Sequence, residues 1–333
     1  MSTTPPSRAV FMFSLFSGIL ISISSSSWLT AWMGLELNLL SFIPLIHSKK
    51  NQFFTQASIK YFLIQALGSV MIIWPSILFF PGEFLPSIFI FSAILLKLGA
   101  APFHFWLPSV CQGISWIHCC ALLTVQKITP LILISWIIPL PQGIMFSAAF
   151  LSSFFGSISG FGQKLLRKIL AYSSINHMAW MLSAINFSQP SLILYFLTYS
   201  FISISIMVMF HIKQVFHLSQ LFSSNTIEPV TKLAVYLSLF SLGGIPPFLG
   251  FSTKWMIISN LIFNKSILWT TFLIFTALIS LFFYLRISMN SLLFLHSKIK
   301  FMSSPPSDLF LLASLSFNTF PFLIWMSIMS FFI

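Results

Sequence analysis

The chain has 333 residues, of which 57% are hydrophobic and only 6% are charged. A water-soluble domain carries roughly 25% charged residues, so this composition excludes a soluble protein with a solvated surface. The formal net charge is +12, but the basic residues are scattered singly or in short clusters, which argues against nucleic-acid binding. The sequence therefore predicts an all-α polytopic membrane protein.

Apolar stretches recur along the whole chain at about 20 residues each, the length a helix needs to cross a bilayer. Short linkers rich in Pro, Gly and polar residues separate them, which predicts about 11 transmembrane helices. Strand-like alternation is absent, which disfavours a barrel. The predicted spans are 10–29, 32–47, 56–80, 84–106, 114–139, 143–162, 165–186, 190–212, 231–263 (broken), 266–290 and 309–332.

Basic residues concentrate on one side of this topology. The linkers on the N-terminal side contain Arg8, Lys49, Lys50, Lys164, Arg167, Lys168, Lys213, Lys298 and Lys300. On the opposite side only Lys265 lies in a linker. Because positively charged loops stay in the cytoplasm or its mitochondrial equivalent, the matrix, we predict the N-terminus on that positive side of the membrane and the C-terminus on the other.

Two segments indicate an internal repeat. "KLGAAPF" (Lys97–Phe103) and "SLGGIPPF" (Ser241–Phe248) share Leu-Gly-x-x-Pro, which pairs Gly99 with Gly243. They lie five spans apart and so cross the membrane in opposite directions, as expected of an inverted repeat with a broken helix in each half. The alternative is chance, because Leu, Gly and Pro are common in membrane helices.

This repeat predicts the domain organisation. It comprises a polar lead-in (1–9), a first five-helix repeat (10–139, broken near 97–102), a second, inverted repeat (143–290, broken near 243–247) and a C-terminal transmembrane helix (309–333). Proline and glycine at the breaks release backbone carbonyls. Such groups are tolerated at membrane depth only where they line a polar or hydrated cavity.

Four ionisable residues fall inside predicted spans: Glu36, Lys97, Lys127 and Lys254. A charge at the bilayer centre costs roughly 2.5–3.5 kcal/mol, so each is a candidate functional residue facing the interior. The alternative is snorkelling toward the headgroups. Burial disfavours a charged ammonium and a nearby carboxylate favours it, so a Glu36–Lys97 pair would form a switchable proton site. Lys127 and Lys254 would continue the path.

Three histidines are candidate proton relays: His104 at the first break, His118 near the start of span 5 and His177 in span 7. A structural, hydrogen-bonded histidine is an equally good interpretation of His104 and His177. The three cysteines form no metal-binding spacing, and no phosphate-binding or dinucleotide motif occurs. We therefore predict no metal and no cofactor in this chain.

Five motifs follow one another along the chain in a fixed order and spacing. They are "AWMGLELNLLSFIPL", "KLGAAPFHFWLP", "QKITPL", "LRKILAYSSINHM" and "SLGGIPPFLGFSTKW". Together they resemble the NADH–ubiquinone oxidoreductase chain 2 family, which is mitochondrially encoded. The resemblance is to the invertebrate members, and in particular to those of arthropods. The resemblance implies an antiporter-like, proton-translocating subunit in the membrane arm of respiratory complex I. Its proton-path residues correspond to Glu36, Lys97, Lys127 and Lys254.

The resemblance also implies a setting. The protein is expected in the mitochondrial inner membrane, beside other membrane-arm subunits and phospholipids such as cardiolipin, and not as a homo-oligomer. NADH, FMN, iron–sulfur clusters and ubiquinone are expected in other subunits. Two alternatives stay open. One is a stand-alone cation/proton antiporter. The other is a structural membrane scaffold with no transport role, which predicts that Lys97→Ala and Lys127→Ala leave proton pumping by the complex intact.

Overall fold

The computed structural model describes residues 6–47, 52–78, 84–137, 142–223 and 229–293. Within these ranges the chain is all-α, apart from an isolated antiparallel bridge between Leu165 and His217. The helices are α1 (Pro6–Ile23), α2 (Trp28–Ile46), α3 (Gln52–Leu78), α4 (Phe84–Leu98), α5 (Trp106–Gly113), α6 (Trp116–Leu123), α7 (Val125–Ser135), α8 (Gln142–Phe161), α9 (Leu166–Ile185), α10 (Gln189–Lys213), α11 (Leu218–Ser223), α12 (Pro229–Gly243), α13 (Leu249–Phe263) and α14 (Ile267–Leu293).

Six helical segments of the described ranges are long and apolar enough to cross a membrane. They are Trp28–Ile46, Gln52–Ile77, Trp116–Ser135, Gln142–Phe161, Gln189–Lys213 and Ile267–Met289. Three shorter apolar helices accompany them: Arg8–Ile23, Leu85–Leu98 and Thr231–Gly243. The prediction of an all-α membrane protein is confirmed at this level, and the predicted helix at 309–333 lies outside the described residues.

The chain divides into two compact units, Met1–Ser152 and Ser153–Ile333. In the first unit, α1 packs along α2, α3 contacts α2, α4 and α5, and α4 contacts α7. The α1–α2 contact depends on glycine, because a Cβ at Gly34 would lie 2.7 Å from the Gly18 carbonyl oxygen. Helix α1 begins at Pro6, within the predicted polar lead-in (1–9), and a proline at the first helical position needs no hydrogen-bonded N–H.

The first predicted break lies in this unit, and it divides what the sequence suggested was one span (84–106). Helix α4 ends at Leu98, and Gly99 then adopts a left-handed conformation with φ +69°. The chain becomes helical again only at Trp106, as the separate helix α5. Side chains bind the carbonyls released at this end: the Trp106 indole donates to Leu96 O at 3.0 Å, and Gln65 Nε2 donates to Lys97 O at 3.2 Å.

A second interruption in this unit was not predicted. Residues 114–139 were expected to form one helix, but α6 ends at Leu123 and α7 starts at Val125. Thr124 separates them with φ −119° and ψ −73°, and its hydroxyl donates to the Cys120 carbonyl at 2.7 Å. Such bonding by threonine to the carbonyl four residues back bends helices.

In the second unit, α10 contacts α9, α12 and α13, and α14 contacts α9, α12 and α13. The predicted second break separates α12, which ends at Gly243, from α13, which begins at Leu249. Tight packing accompanies it, because a Cβ at Gly250 would overlap the Ser241 carbonyl oxygen.

The two breaks share one backbone geometry, but in a register that differs from the prediction by one residue. Gly99 and Gly244, rather than Gly243, are left-handed, with φ +69° and +81°. The following residue donates its N–H to the carbonyl five positions back, at 3.1 Å for Ala100 and 3.3 Å for Ile245. Both bonds belong to a Schellman-type helix end. The pairing of Gly99 with Gly243 was therefore wrong, because only the left-handed residue requires glycine.

Candidate functional site

Lys97 occupies the last turn of α4, where its side chain is 7% exposed. Its aliphatic stem lies against Gly68 of α3, since a Cβ there would meet Lys97 Cγ at 3.0 Å and Cε at 3.3 Å. Because Gly68 has no side chain, the aliphatic part of Lys97 can pack against α3.

Glu36 is the predicted partner of Lys97. It lies on α2 and is half-buried, and its carboxylate interacts electrostatically with the Lys97 ammonium. The structure thus brings the two charges together from different helices. A carboxylate beside a buried ammonium favours its charged form.

Lys97 and Lys127 line the same small cavity of the first unit. Lys127 lies in the first turn of α7 and is 2% exposed. The cavity has a volume of about 10 Å³, close to the minimum that holds one water molecule. Its other polar walls are Tyr61, Gln65 and Gln126. A water bound here would contact several polar groups between two lysines.

Hydrogen bonds hold the polar side chains that line this cavity. Gln126 Nε2 donates to Asn38 Oδ1 at 2.9 Å, and the Tyr61 hydroxyl donates to Gln126 Oε1 at 3.4 Å. Gln65 bonds the carbonyl of Lys97, as described above. Asn38, Tyr61 and Gln65 were not among the residues predicted from the sequence. For Asn38 and Gln65 the available signal was an amide side chain within an otherwise apolar helix.

Lys254 belongs to the second unit and closes the end of α12. Its ammonium donates to the carbonyls of Leu242 at 3.0 Å and Gly243 at 2.7 Å, and it lies 5.9 Å from the centroid of the Trp180 ring. Gly244 makes room for it, because a Cβ there would lie 3.0 Å from Lys254 Nζ. Lys254 therefore contacts the break directly, as its sequence position suggested.

The three candidate histidines lie in different surroundings. His104 is buried in the first break, where it hydrogen-bonds the backbone of Pro102. His118 Nδ1 is 2.7 Å from the Ser115 hydroxyl, and this ring interacts electrostatically with Arg8.

His177, in the second unit, has Nδ1 2.8 Å from the Tyr195 hydroxyl. Its ring centroid is 5.0 Å from that of Tyr199. Of the described residues that line the Lys97–Lys127 cavity, none is a histidine. Among the described residues no group of three or more His, Cys, Asp or Glu side chains is placed to hold a metal ion.

Apolar membrane-length helices, buried lysines at helix breaks and a polar cavity lined by Lys97 and Lys127 are typical of an ion-translocating membrane domain. The family model described as "NADH:quinone oxidoreductase/Mrp antiporter, TM" matches residues 25–83 and 75–280. The chain belongs to this family.

Named relatives show which proteins of this family the chain resembles. Proteins named NADH-ubiquinone oxidoreductase chain 2 are 43% identical over 305 residues in Anopheles gambiae and 38% identical over 304 residues in Locusta migratoria. Each of these alignments covers 89% of this chain and 89% of the relative. The protein of that name from Oryctolagus cuniculus is 38% identical over 303 residues, or 86% of either chain. The resemblance predicted from the five motifs is confirmed.

Solved structures share the fold. A chain of respiratory complex I from Thermus thermophilus superimposes with a TM-score of 0.83 at 22% identity, covering 98% of this chain and 79% of that one. A chain of the Mrp complex from a Dietzia species gives 0.77 at 17% identity, covering 84% of this chain and 59% of that one. At such identities the likeness concerns the fold alone.

Proposed function

We propose that the chain is a proton-translocating, antiporter-like core subunit in the membrane arm of respiratory complex I. It couples NADH:ubiquinone electron transfer, which takes place in other subunits, to proton movement across the mitochondrial inner membrane. Family membership and the named relatives support this function over that of a stand-alone cation/proton antiporter. The geometric observation that carries it is the water-sized cavity shared by Lys97 and Lys127.

In the proposed mechanism the buried charged residues act one after another. Electron transfer elsewhere alters the electrostatic field along the arm and changes the Glu36–Lys97 interaction. When the carboxylate moves away, the buried ammonium of Lys97 is less favoured and releases its proton to a water in the cavity. Lys127, which lines the same cavity, accepts the proton and stores it. Lys254 gates one exit from the second unit, and His104, His118 and His177 are candidate relays.

The proposed architecture has about eleven spans in two inverted five-helix repeats plus a C-terminal helix. The matching helix ends at Gly99 and Gly244 support the repeat. We place the N-terminus in the matrix and the C-terminus in the intermembrane space on the basis of the one-sided basic linkers. Arg8 lies just before predicted span 1, His118 lies near the start of predicted span 5, and the two interact electrostatically. Spans 1 and 5 should both begin on the same side of the membrane, so this interaction supports the proposed relative directions.

The proposed partners are other membrane-arm subunits and anionic phospholipids such as cardiolipin, with no homo-oligomer and no nucleic acid. NADH, FMN, iron–sulfur clusters and ubiquinone belong to other subunits. Placing electron transfer in other subunits suits the chemistry of the site, because lysine and glutamate side chains exchange protons but carry no electrons.

Lys97→Met in an assembled homologous complex tests the function. We expect a lower proton-to-electron ratio or blocked coupled turnover, since Met has a similar length but holds no proton. Lys60→Met is the matched control, because Lys60 is exposed on the surface of α3.

Normal pumping and turnover in Lys97→Met would count against the proposal. Intact pumping in both Lys97→Ala and Lys127→Ala would favour a scaffold. Cation/proton exchange by the purified chain alone in liposomes would favour the stand-alone antiporter.

A further inference from the structure

A second cavity, of about 310 Å³, lies in the second unit and is separate from the proton-transfer residues. Its walls come from the end of α8 and the segment after it, the first turn of α9, the start of α11 with the residue before it, and the last part of α14. The volume is at the lower end of the range for small-molecule sites. The proton-transfer mechanism above assigns it no role.

Three basic side chains line this cavity: Lys164, His217 and Arg286. The backbone fixes the first two, because Leu165 and His217 form a bridge and Leu218 N–H donates to Lys164 O at 3.1 Å. None of the described lining residues is acidic. These backbone bonds fix where two of the three basic side chains emerge, and three basic groups around one cavity favour a compact anion.

Aromatic rings form the apolar part of the wall. Phe161 stacks on Phe282 with centroids 5.4 Å apart and an angle of 13°, and the Arg286 guanidinium lies 5.8 Å from the Phe161 centroid. Phe283 also lines the cavity. Basic groups next to the exposed Phe161 ring suit an amphipathic ligand, whose charged part meets the cations while its apolar part lies on the aromatic wall.

The position of the cavity indicates the source of such a ligand. Phe161 is the last residue of α8, so the cavity lies at a helix end, where a spanning helix meets the headgroup region. Lys164 belongs to the linker set that the sequence places on the positive side of the membrane. Basic pockets between helices on that side bind anionic headgroups.

We propose that this cavity binds the phosphate headgroup of an anionic phospholipid from the matrix-side leaflet. Lys164 and Arg286 bind the phosphate oxygens, His217 closes the cavity, and the glycerol and upper acyl carbons lie on Phe161 and Phe283. Free phosphate would meet the same cations, but it would leave the aromatic wall unused. The proposal rests on the proposed function for the matrix-side orientation and deepens it, because it assigns the phospholipid partner a site of its own.

Photolabelling of the intact complex in nanodiscs tests the site. The probes are cardiolipin and phosphatidylcholine, each with a photoreactive group near the headgroup. In the unmodified complex we expect cardiolipin to label peptides that contain residues 160–169 or 282–287, and phosphatidylcholine to label them about tenfold less. Excess inorganic phosphate should leave the labelling unchanged.

Arg286→Gln, and Lys164→Gln with it, should reduce cardiolipin labelling about tenfold. Both side chains are exposed, so the variants should assemble, which native gels verify. Lys213→Gln is the matched control: it removes one positive charge from the last turn of α10 without altering the cavity wall.

Three results would overturn the proposal: equal labelling by both lipids, displacement of the lipid by inorganic phosphate, or cross-linking of the cavity to an acidic segment of a neighbouring subunit. Because the readout does not involve turnover, a failure here would leave the Lys97 experiment unaffected.

Discussion

Lys254→Met separates two roles of one residue, the proton carrier and the helix cap. Met has a similar length and no donor, so the carbonyls of Leu242 and Gly243 lose the ammonium that binds them at 3.0 and 2.7 Å. These carbonyls belong to the last turn of α12, where the helix itself provides no donor. The substitution should therefore loosen the break locally.

The magnitude follows from the two lost bonds. A buried carbonyl left without a donor costs about 1–3 kcal/mol. Replacing a buried charge with an apolar side chain offsets part of this, so we take the lower value for each group, which gives about 2 kcal/mol. That corresponds to about a 30-fold increase in the opening equilibrium.

Hydrogen exchange measures this opening at the amides of Gly244 and Ile245, which bond the Phe240 carbonyl at 3.0 and 3.3 Å. We expect about 30-fold faster exchange in Lys254→Met. The peptide containing Gly99 and Ala100 is the internal control, because it has the same helix end but is bound by neutral side chains. Unchanged exchange at Gly244, or equal acceleration at both breaks, would refute the capping role.

Two glycine substitutions test the packing. Gly244→Ala should destabilise the second break by at least about 1–2 kcal/mol from backbone strain, since φ is +81° and the new Cβ would lie 3.0 Å from Lys254 Nζ; thermal inactivation of the complex measures this. Gly34→Val should lower the yield of assembled complex on native gels, because a Cβ there meets the Gly18 carbonyl at 2.7 Å. The same substitutions at Gly143 are controls, since nothing lies within 4 Å of its Cβ. Equal losses at Gly143 would contradict both predictions.

The breaks show how far a motif predicts geometry. Leu-Gly-x-x-Pro located both interruptions, because glycine and proline are incompatible with a continuous helix. It did not choose between Gly243 and Gly244, since the choice depends on which residue must turn left-handed. The interruption at Thr124 has no glycine and was missed, because a threonine hydroxyl bends a helix only where packing accommodates the bend.

The site shows a similar division. Glu36, Lys97, Lys127 and Lys254 stand out in the sequence because a charge within an apolar span is costly. Their neighbours do not stand out in this way. Tyr61 and Gln65 become part of the cavity only because α3 contacts both α2 and α4.

Composition, apolar length and the glycine–proline motif are enough to predict an all-α membrane protein with ionisable residues inside its spans and two helix breaks. The reason is that each polar group placed in lipid carries a free-energy cost of its own. The packed helices were needed to show that Lys97 and Lys127 line one water-sized cavity and that Lys254 binds the end of α12. Those facts depend on helices distant in sequence packing together, and on glycines that admit a neighbouring side chain. No local pattern in the sequence encodes such contacts.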